Sequence, residues 1–449
     1  MNKDFSQNSP NASARTRPLF SRGFCGLMIT QFTVAFNDNI FRWLLVPIGK
    51  ARLGAYYGNY DAGANIALTI GGLMFLIPFI LFSGYGGYCA DRFCKKQVMA
   101  WCKIAEIFIM LLGVLFVWIG NPWLLFLVLF LMGTQSAFYS PAKYASIPEI
   151  VGEKNIPSAN GLIGMSTIVA VLAGTLLGNN LYVWTTLPDA AGSTLMPDAP
   201  GQYRLWLSAL ILVGVAVTGY FSTFMIQRMP PLHECKPLKW FQKLPVGQSI
   251  SDFTYLWRHK ALLLVALFSA YYWGLASLAQ TNIDKFVVPE ITENQGAVAI
   301  FLGILALGIA VGSVLVGQIM RGKTTLNPII FSAFGMAACA FALFLTPTGT
   351  GMIPSTASNH ALVALFCLGT FAGIFDIPLM AYLQKNGEES QRGRIIGGSN
   401  FLSFSAMTLG VLVFGVLIEA LESRGVWFIS GISAVIVGFI CIWAVRRLK

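Results

Sequence analysis

The chain reads as an all-α integral membrane protein, with twelve transmembrane helices in two six-helix bundles related by a pseudo-twofold axis. Three observations predict this. Hydrophobic residues make up 56% of the 449 and charged residues only 11%, whereas a soluble domain is about 25% charged. Apolar runs of about 20 residues, each long enough to cross a bilayer, recur along the chain. Polar patterns of the first half return in the second. The runs are continuous rather than alternating, which excludes a barrel of short strands.

In chain order, residues 1–21 are rich in Ser, Asn and Arg and form a polar cytosolic tail. The apolar run that follows has no small-residue cleavage site and is read as a retained helix. The spans lie at 22–48, 64–90, 98–119, 123–146, 159–184, 204–227, 259–283, 297–320, 327–347, 359–384, 395–418 and 427–447. The polar stretch 228–258 is a central cytosolic linker, dividing the chain into bundles at 22–227 and 259–449.

The cations set the orientation. With both termini in the cytosol, 23 of the 30 Lys and Arg fall at cytosolic ends and five outside (Lys50, Arg52, Arg204, Lys285, Arg424). This satisfies the positive-inside rule. The net charge of +11 therefore reports topology, and a nucleic-acid partner is excluded. The eight Cys are scattered, and the three His (His233, His259, His360) lie far apart. No metal site, cofactor or catalytic centre is expected. Neither is a nucleotide-binding phosphate loop.

The repeat runs through several positions. Gly133-Thr134 returns as Gly369-Thr370, and Pro141 as Pro378. Asn160 opens helix five as Asn400 opens helix eleven, and Asn39-Ile40 is echoed by Asn282-Ile283. Duplicated halves of this kind hold a substrate site between them near the midplane and rock to give alternating access.

Ionisable groups inside a membrane cost about 2.5–3.5 kcal/mol at a helix centre, so they are functional candidates. Asp38, Arg42, Lys143 and Asp376 stand out, with Glu106 nearer a helix end. Asn37, Asp38 and Asn39 cannot all face lipid. Asp38 either pairs with Arg42 four residues on, binds a cationic group, or partners Lys143. Lys143, after the kinking Pro141 and beside Tyr144, either snorkels to the interface or binds phosphate or carboxylate. Asp376 binds a proton, a cation or a head group, or is a hydrogen-bonded structural residue. Asn160 and Gln280 complete the candidate substrate contacts. Gln280, Thr281 and Asn282 match the polar patch of helix one.

The candidate cytosolic gate is Gly87-Tyr88-Cys89-Ala90-Asp91-Arg92-Phe93-Cys94-Lys95-Lys96, with a reduced copy running from Gly317 to Lys323 through Arg321. Gly87 permits close helix approach. Asp91 is placed to meet the positive end of a helix from the other half, with Arg92, Lys95 and Lys96 beside it.

The G-x-x-x-D-R-x-x-K-K spacing resembles the signature loop of the major facilitator superfamily. Phe36-Asn37-Asp38-Asn39, Tyr139-Ser140-Pro141-Ala142-Lys143-Tyr144, Ala159-Asn160-Gly161-Leu162, Ile377-Pro378-Leu379 and Arg392-Gly393-Arg394-Ile395 resemble its lysophospholipid transporter branch. That branch includes transporter modules fused to acylglycerophosphoethanolamine acyltransferases. The resemblance implies a bacterial inner-membrane transporter with the major facilitator fold. It would bring lysophospholipids from the outer to the inner leaflet for reacylation by a separately encoded acyltransferase. Asp38 and Lys143 would belong to its substrate or gating network. Gln280 and Gly164 stand where stand-alone members carry Arg and Glu. Membrane lipid and a lysophospholipid or other amphipathic substrate are the expected partners. A proton-coupled transporter of a soluble solute or drug is the alternative, and a scaffold for an acyltransferase a third.

Overall fold

The computed structural model describes residues 18–58, 60–185, 205–230, 244, 246–292, 297–348 and 355–448. Residues 1–17 of the expected tail and 231–243 of the expected linker lie outside the described residues. Six long helices come first: α1 (Arg22–Tyr57), α2 (Tyr60–Arg92), α3 (Lys95–Ile119), α4 (Pro122–Val151), α5 (Ile156–Thr185) and α6 (Leu205–Ser222). A short helix, α7 (Gly247–Arg258), precedes α8 (Lys260–Glu290), α9 (Val298–Ile319), α10 (Asn327–Phe344), α11 (Thr356–Asn386) and α12 (Arg392–Leu448).

Local sequence sets the helix ends. Ser21 Oγ accepts from Phe24 N at 3.2 Å and caps α1, which stops at Gly58 in the left-handed conformation. Asn121 caps α4 through Trp123 N, with Pro122 in the first turn, where its missing N–H costs nothing. Ser355 and Ser358 form a reciprocal box at the start of α11.

One element departs from the sequence expectation. The linker is not simply a polar stretch, because α7 forms inside 228–258. The last two expected spans, 395–418 and 427–447, form the two arms of α12, whose 57 residues at about 1.5 Å each suffice for two crossings of about 30 Å. The element breaks at Glu422, at φ 56°, the one non-Gly residue with positive φ among those described. Side chains clamp that break: Asn282 Nδ2 donates to Ser423 O at 3.0 Å, and Arg424 holds Glu290 at 2.8 Å and Thr346 O at 2.7 Å.

Ten helices among the described residues are long and apolar enough to cross a membrane. One more, α1, is less apolar because Asn37, Asp38, Asn39 and Arg42 interrupt it, and α12 is long enough to cross twice. The protein is a multi-pass membrane protein. Its apolar cores are separate. One cluster draws every member from Leu256 to Val445, and two others draw theirs from Phe24 to Met229.

The duplicated Gly-Thr has the same packing use in both sets. A Cβ on Gly133 would sit 2.4 Å from Phe75 O on α2, and one on Gly369 would sit 2.1 Å from Leu305 O on α9. Only a residue without a side chain admits such backbone approach. The two sets meet where α2 lies against α12, α5 against α9, and α4 against α11 and α12. The hydrogen bonds across this seam gather toward the end of the bundle where Arg92, Lys154, Arg321 and Arg392 lie, called here the basic end.

Candidate functional site

The polar run of α1 splits across the faces of the helix. Asn37 is fully buried and donates Nδ2 to Glu106 Oε1 at 2.9 Å. Glu106 Oε2 pairs with Lys103 Nζ at 2.6 Å, and that ammonium also donates to Thr33 Oγ1 at 3.3 Å. Lys103 and Glu106 are 0% and 1% exposed, so this is a dry ion pair within the first set. Asn37 therefore does not line an accessible cavity, a correction to its place among the substrate contacts. The spacing of three between Lys103 and Glu106, inside the expected span 98–119, is the sequence signal for this pair.

Asp38 is buried and accepts from Ser136 Oγ at 3.1 Å through Oδ2, while Oδ1 has no partner. Among the described residues it pairs with neither Arg42 nor Lys143. The expected Asp38–Arg42 pair does not form, although both lie on α1. Arg42 is instead exposed, with its guanidinium beside Gly72 of α2. Asn39 is half-buried and donates to Ala35 O in its own helix at 2.8 Å.

Lys143 is 6% exposed and does not reach an interface, which removes the snorkelling alternative. Its ammonium donates to Gln31 Oε1 at 3.0 Å and sits 4.0 Å from the centre of the Tyr144 ring. Gln31 is held in turn by Thr167 Oγ1 at 2.9 Å. No carboxylate neutralises Lys143 among the described residues. Across the seam on α11, Asp376 is half-buried with Oδ1 unpartnered, within electrostatic reach of Tyr144 and Tyr272. Cation–π attraction (about 2 kcal/mol when desolvated) offsets only part of the cost of a buried ammonium. The site thus holds an ammonium side chain of one set and a carboxyl of the other, neither with an ion-pair partner, both within reach of Tyr144. Gln280 of α8 is exposed.

The seam is closed at the basic end. Asp91 accepts from Gly393 N at 2.6 Å and Arg394 N at 2.8 Å, in the first turn of α12. A Cβ on Gly87 would lie 2.5 Å from Gly393 O. Asn160 and Gln384 exchange two hydrogen bonds, at 2.7 and 3.1 Å, and Asn400 donates to Ser140 Oγ at 3.0 Å. Ser158 Oγ donates to Gly317 O at 2.7 Å. Asn160 is thus spent on the seam and is 2% exposed. The short α7 wedges against α2 and α12. Ser249 Oγ accepts from Gly84 N at 3.2 Å, and buried Asp252 binds Arg394 at 2.9 Å and Gln248 at 2.7 Å. Burial penalises the Asp252 charge, and the Arg394 guanidinium offsets it. Sequence reading missed α7, Asp252 and Arg394 as seam residues.

Three expected gate residues turn away from the seam. Lys95 is buried against Glu149 at 2.7 Å, Lys96 donates to Phe224 O at 3.4 Å, and Arg92 bonds Tyr88 in its own helix. All three contacts stay inside the first set. Arg321 is exposed beside Gly317.

The run Gly317-Gln318-Ile319-Met320-Arg321-Gly322-Lys323-Thr324 does carry the spacing of a nucleotide-binding phosphate loop, which corrects the expectation that no such pattern occurs. Such a loop follows a strand and offers free amides at a helix start. Here it is the end of α9 and a turn. The amides of Arg321, Gly322 and Lys323 already donate to Gln318 O, Lys154 O and Met320 O at 3.1, 2.9 and 2.8 Å. It forms no phosphate cradle.

Comparison with known proteins accords with this architecture. The lysophospholipid transporter LplT of Photorhabdus laumondii is 27% identical over 386 residues, covering 85% of this chain and 84% of its own. The lysophospholipid transporter LplT of Klebsiella pneumoniae is 27% identical over 438 residues, covering 96% of each. Among solved structures, the human organic anion transporter MFSD10 superposes with a TM-score of 0.74 at 12% identity, covering 94% of this chain and 99% of its own. The transporter FucP superposes at 0.73 and 14%, covering 94% of this chain and 98% of its own. At those identities the structures speak to the fold alone. The profile of the Major Facilitator Superfamily matches residues 27–411, and with that span covered, this chain belongs to the major facilitator superfamily.

Proposed function

We propose that this protein moves lysophospholipids from the outer to the inner leaflet of a bacterial inner membrane by alternating access. Both termini lie in the cytosol in this reading, so the basic end is cytosolic. The halves 22–227 and 259–449 rock about the linker 228–258. Relatives named as lysophospholipid transporters, similar over nearly the whole chain, support the substrate class. The observation that carries the reading is Lys143 of one half, seated on the Tyr144 ring without a carboxylate partner, and Asp376 of the other, unpartnered at Oδ1 and within electrostatic reach of Tyr144. A zwitterionic head group supplies the two missing partners. Its phosphate accepts from Lys143, with the exposed Arg42 as a second cation, and its ammonium meets Asp376 or Asp38. Charge-assisted hydrogen bonds of this kind are the strong ones.

The described conformation is then closed to the cytosol, with Asp91 on the α12 amides as its latch and Gly87 and Gly317 as the close contacts. Reacylation of the delivered lipid belongs to a separate acyltransferase. The test is leaflet transfer of fluorescent lysophosphatidylethanolamine in proteoliposomes of the full chain. Transfer no faster than in empty vesicles rejects the proposal.

One observation favours a second reading, proton-coupled transport of a soluble solute: Asp38 Oδ1 is buried without partner or cation. Uptake abolished both by Asp38→Asn and by collapsing the proton gradient would favour it.

A further inference from the structure

The short α7 presents two faces, and the seam uses only one. Gln248, Ser249, Asp252 and Leu256 are buried on the side that packs against α2 and α12. On the opposite face Ile250 is 41% and Trp257 55% exposed, with half-buried Phe253 between them. Spacings of three and four put these side chains on one stripe of a helix. The Phe253 and Trp257 ring centres lie 5.9 Å apart.

The contacts of the buried face fix how deep α7 lies. A Cβ on Gly84 would sit 2.4 Å from Ser249 N, and one on Gly398 would sit 2.9 Å from Leu256 Cδ1. Gly84 comes eight residues before α2 ends at Arg92, and Gly398 six residues after α12 starts at Arg392. At about 1.5 Å per residue, α7 lies about 9–12 Å inside the ends of these spanning helices. It rests on their flanks and not beyond them in water. That is the level of the boundary between head groups and acyl chains, where an amphipathic helix buries its apolar side.

The cations match this placement. Arg258, at the end of α7, and Lys260, at the start of α8, are exposed. Lys260 Nζ stands 4.6 Å from the centre of the Trp257 ring. Among the described residues neither cation has a carboxylate partner. An apolar and aromatic stripe at the interface, ending in two unmatched cations, is complementary to a leaflet that carries anionic head groups. Each such cation strengthens attachment about fivefold, and a zwitterionic leaflet lacks the net charge to draw it.

We infer that α7 is an interfacial anchor for anionic diacyl phospholipid, with Ile250, Phe253 and Trp257 among the acyl chains and Arg258 and Lys260 on the phosphates, and that this anchorage holds the basic end shut. The coupling lies in the other face of the helix. Ser249 holds Gly84 of the first set while Asp252 holds Arg394 of the second, so fixing α7 in the leaflet keeps both sets joined. This anchorage does not depend on which substrate the central site takes.

The experiment places the full chain in nanodiscs of phosphatidylcholine, with or without phosphatidylglycerol. Amide exchange over 247–258 should slow about fivefold when phosphatidylglycerol is present, and the difference should fade in high salt. Spin labels at Lys154 and Lys385 should show the closed population rising with it. Arg258→Gln combined with Lys260→Gln should abolish both responses, and Arg258→Lys combined with Lys260→Arg should keep them. Trp257→Ser should speed exchange in both kinds of disc. Exchange indifferent to phosphatidylglycerol, or equally responsive in the double Gln variant, overturns the anchor, as does Trp257→Ser without effect. Slowed exchange with unchanged spin-label distances overturns the hold on the basic end. Neither readout involves lysophospholipid transfer, so the anchor and the transport reading stand or fall separately.

Discussion

Asp91 Oδ1 accepts the backbone N–H of Gly393 at 2.6 Å while Oδ2 accepts that of Arg394 at 2.8 Å. One carboxylate thus holds two amides that open α12, where the helix dipole favours negative charge. The bonds tie the two halves together, and nothing in the first half replaces them. A hydrogen bond to a charged group is worth about 1.5–3 kcal/mol. Asp91→Asn should therefore shift the balance between closed and open basic ends about ten- to a hundredfold toward open. Spin labels on the exposed Lys154 and Lys385 would read it, as a longer distance population in the variant. An unchanged distribution would remove Asp91 from the latch.

Gly87 makes the same contact possible sterically. A Cβ there would lie 2.5 Å from Gly393 O, which is backbone and cannot swing away. Overpacking of this kind costs about 1–3 kcal/mol. Gly87→Val should open the basic end without unfolding either half. The melting temperature should stay near wild type while an introduced thiol at the seam becomes reactive.

Much of this architecture was readable in the sequence, because a bilayer permits few backbones. Continuous apolar runs, cations at helix ends and the drifting repeat of Gly133-Thr134 as Gly369-Thr370 leave little choice of fold. The residues at the seam were harder. Asn160 reads as a cavity side chain, yet its partner is Gln384, 224 positions away, and no local pattern announces such a pairing. Asn37 and Asp38 are neighbours in sequence but bond different helices, α3 and α4, since successive helical side chains point about 100° apart. The twelve-residue α7 lies in a polar linker whose composition resembles a loop. Its apolar positions fall on one face, which is the signal to look for.

The buried pair Lys103–Glu106 yields a prediction in stability. Breaking a buried pair by removing one partner costs about 3–5 kcal/mol, whereas replacing both with apolar residues of similar size is close to neutral. Lys103→Met alone should lower the melting temperature markedly, because Glu106 is left charged and dry beside Asn37. Lys103→Met with Glu106→Leu should recover most of the loss. Failure of the double variant to recover would mean that the pair is not an isolated structural unit, and would point to Asp38 sharing its charge balance.

The α7 wedge predicts a second route to opening. Arg394 donates to Asp252 at 2.9 Å and to Ser251 O at 3.1 Å, and its guanidinium lies 4.6 Å from the centre of the Tyr255 ring. Asp252→Asn keeps the shape and removes the charge. It should loosen α7 from the seam, visible as faster amide exchange over 247–258, while the Asp91 contacts persist. Combining it with Asp91→Asn should change the opening balance by more or less than the sum of the single effects, since Arg394 serves both carboxylates.

Lys143 separates function from stability. It is buried with one hydrogen bond, to Gln31, and no carboxylate partner, so the folded protein carries its charge at a net cost. Replacing an unpaired buried charge with an apolar residue of similar length relieves that cost, and Lys143→Met should raise the melting temperature. The same change removes the proposed phosphate partner. Loss of one charge-assisted bond, about 1.5–3 kcal/mol, should weaken lysophosphatidylethanolamine binding by roughly ten- to a hundredfold. Lys143→Arg keeps the charge but spreads it over a planar fork that cannot sit as a point over the Tyr144 ring, so it should fall between the two. A structural lysine would lose stability and leave affinity alone. A variant that is more stable and binds less is what a site holding its charge for a ligand requires.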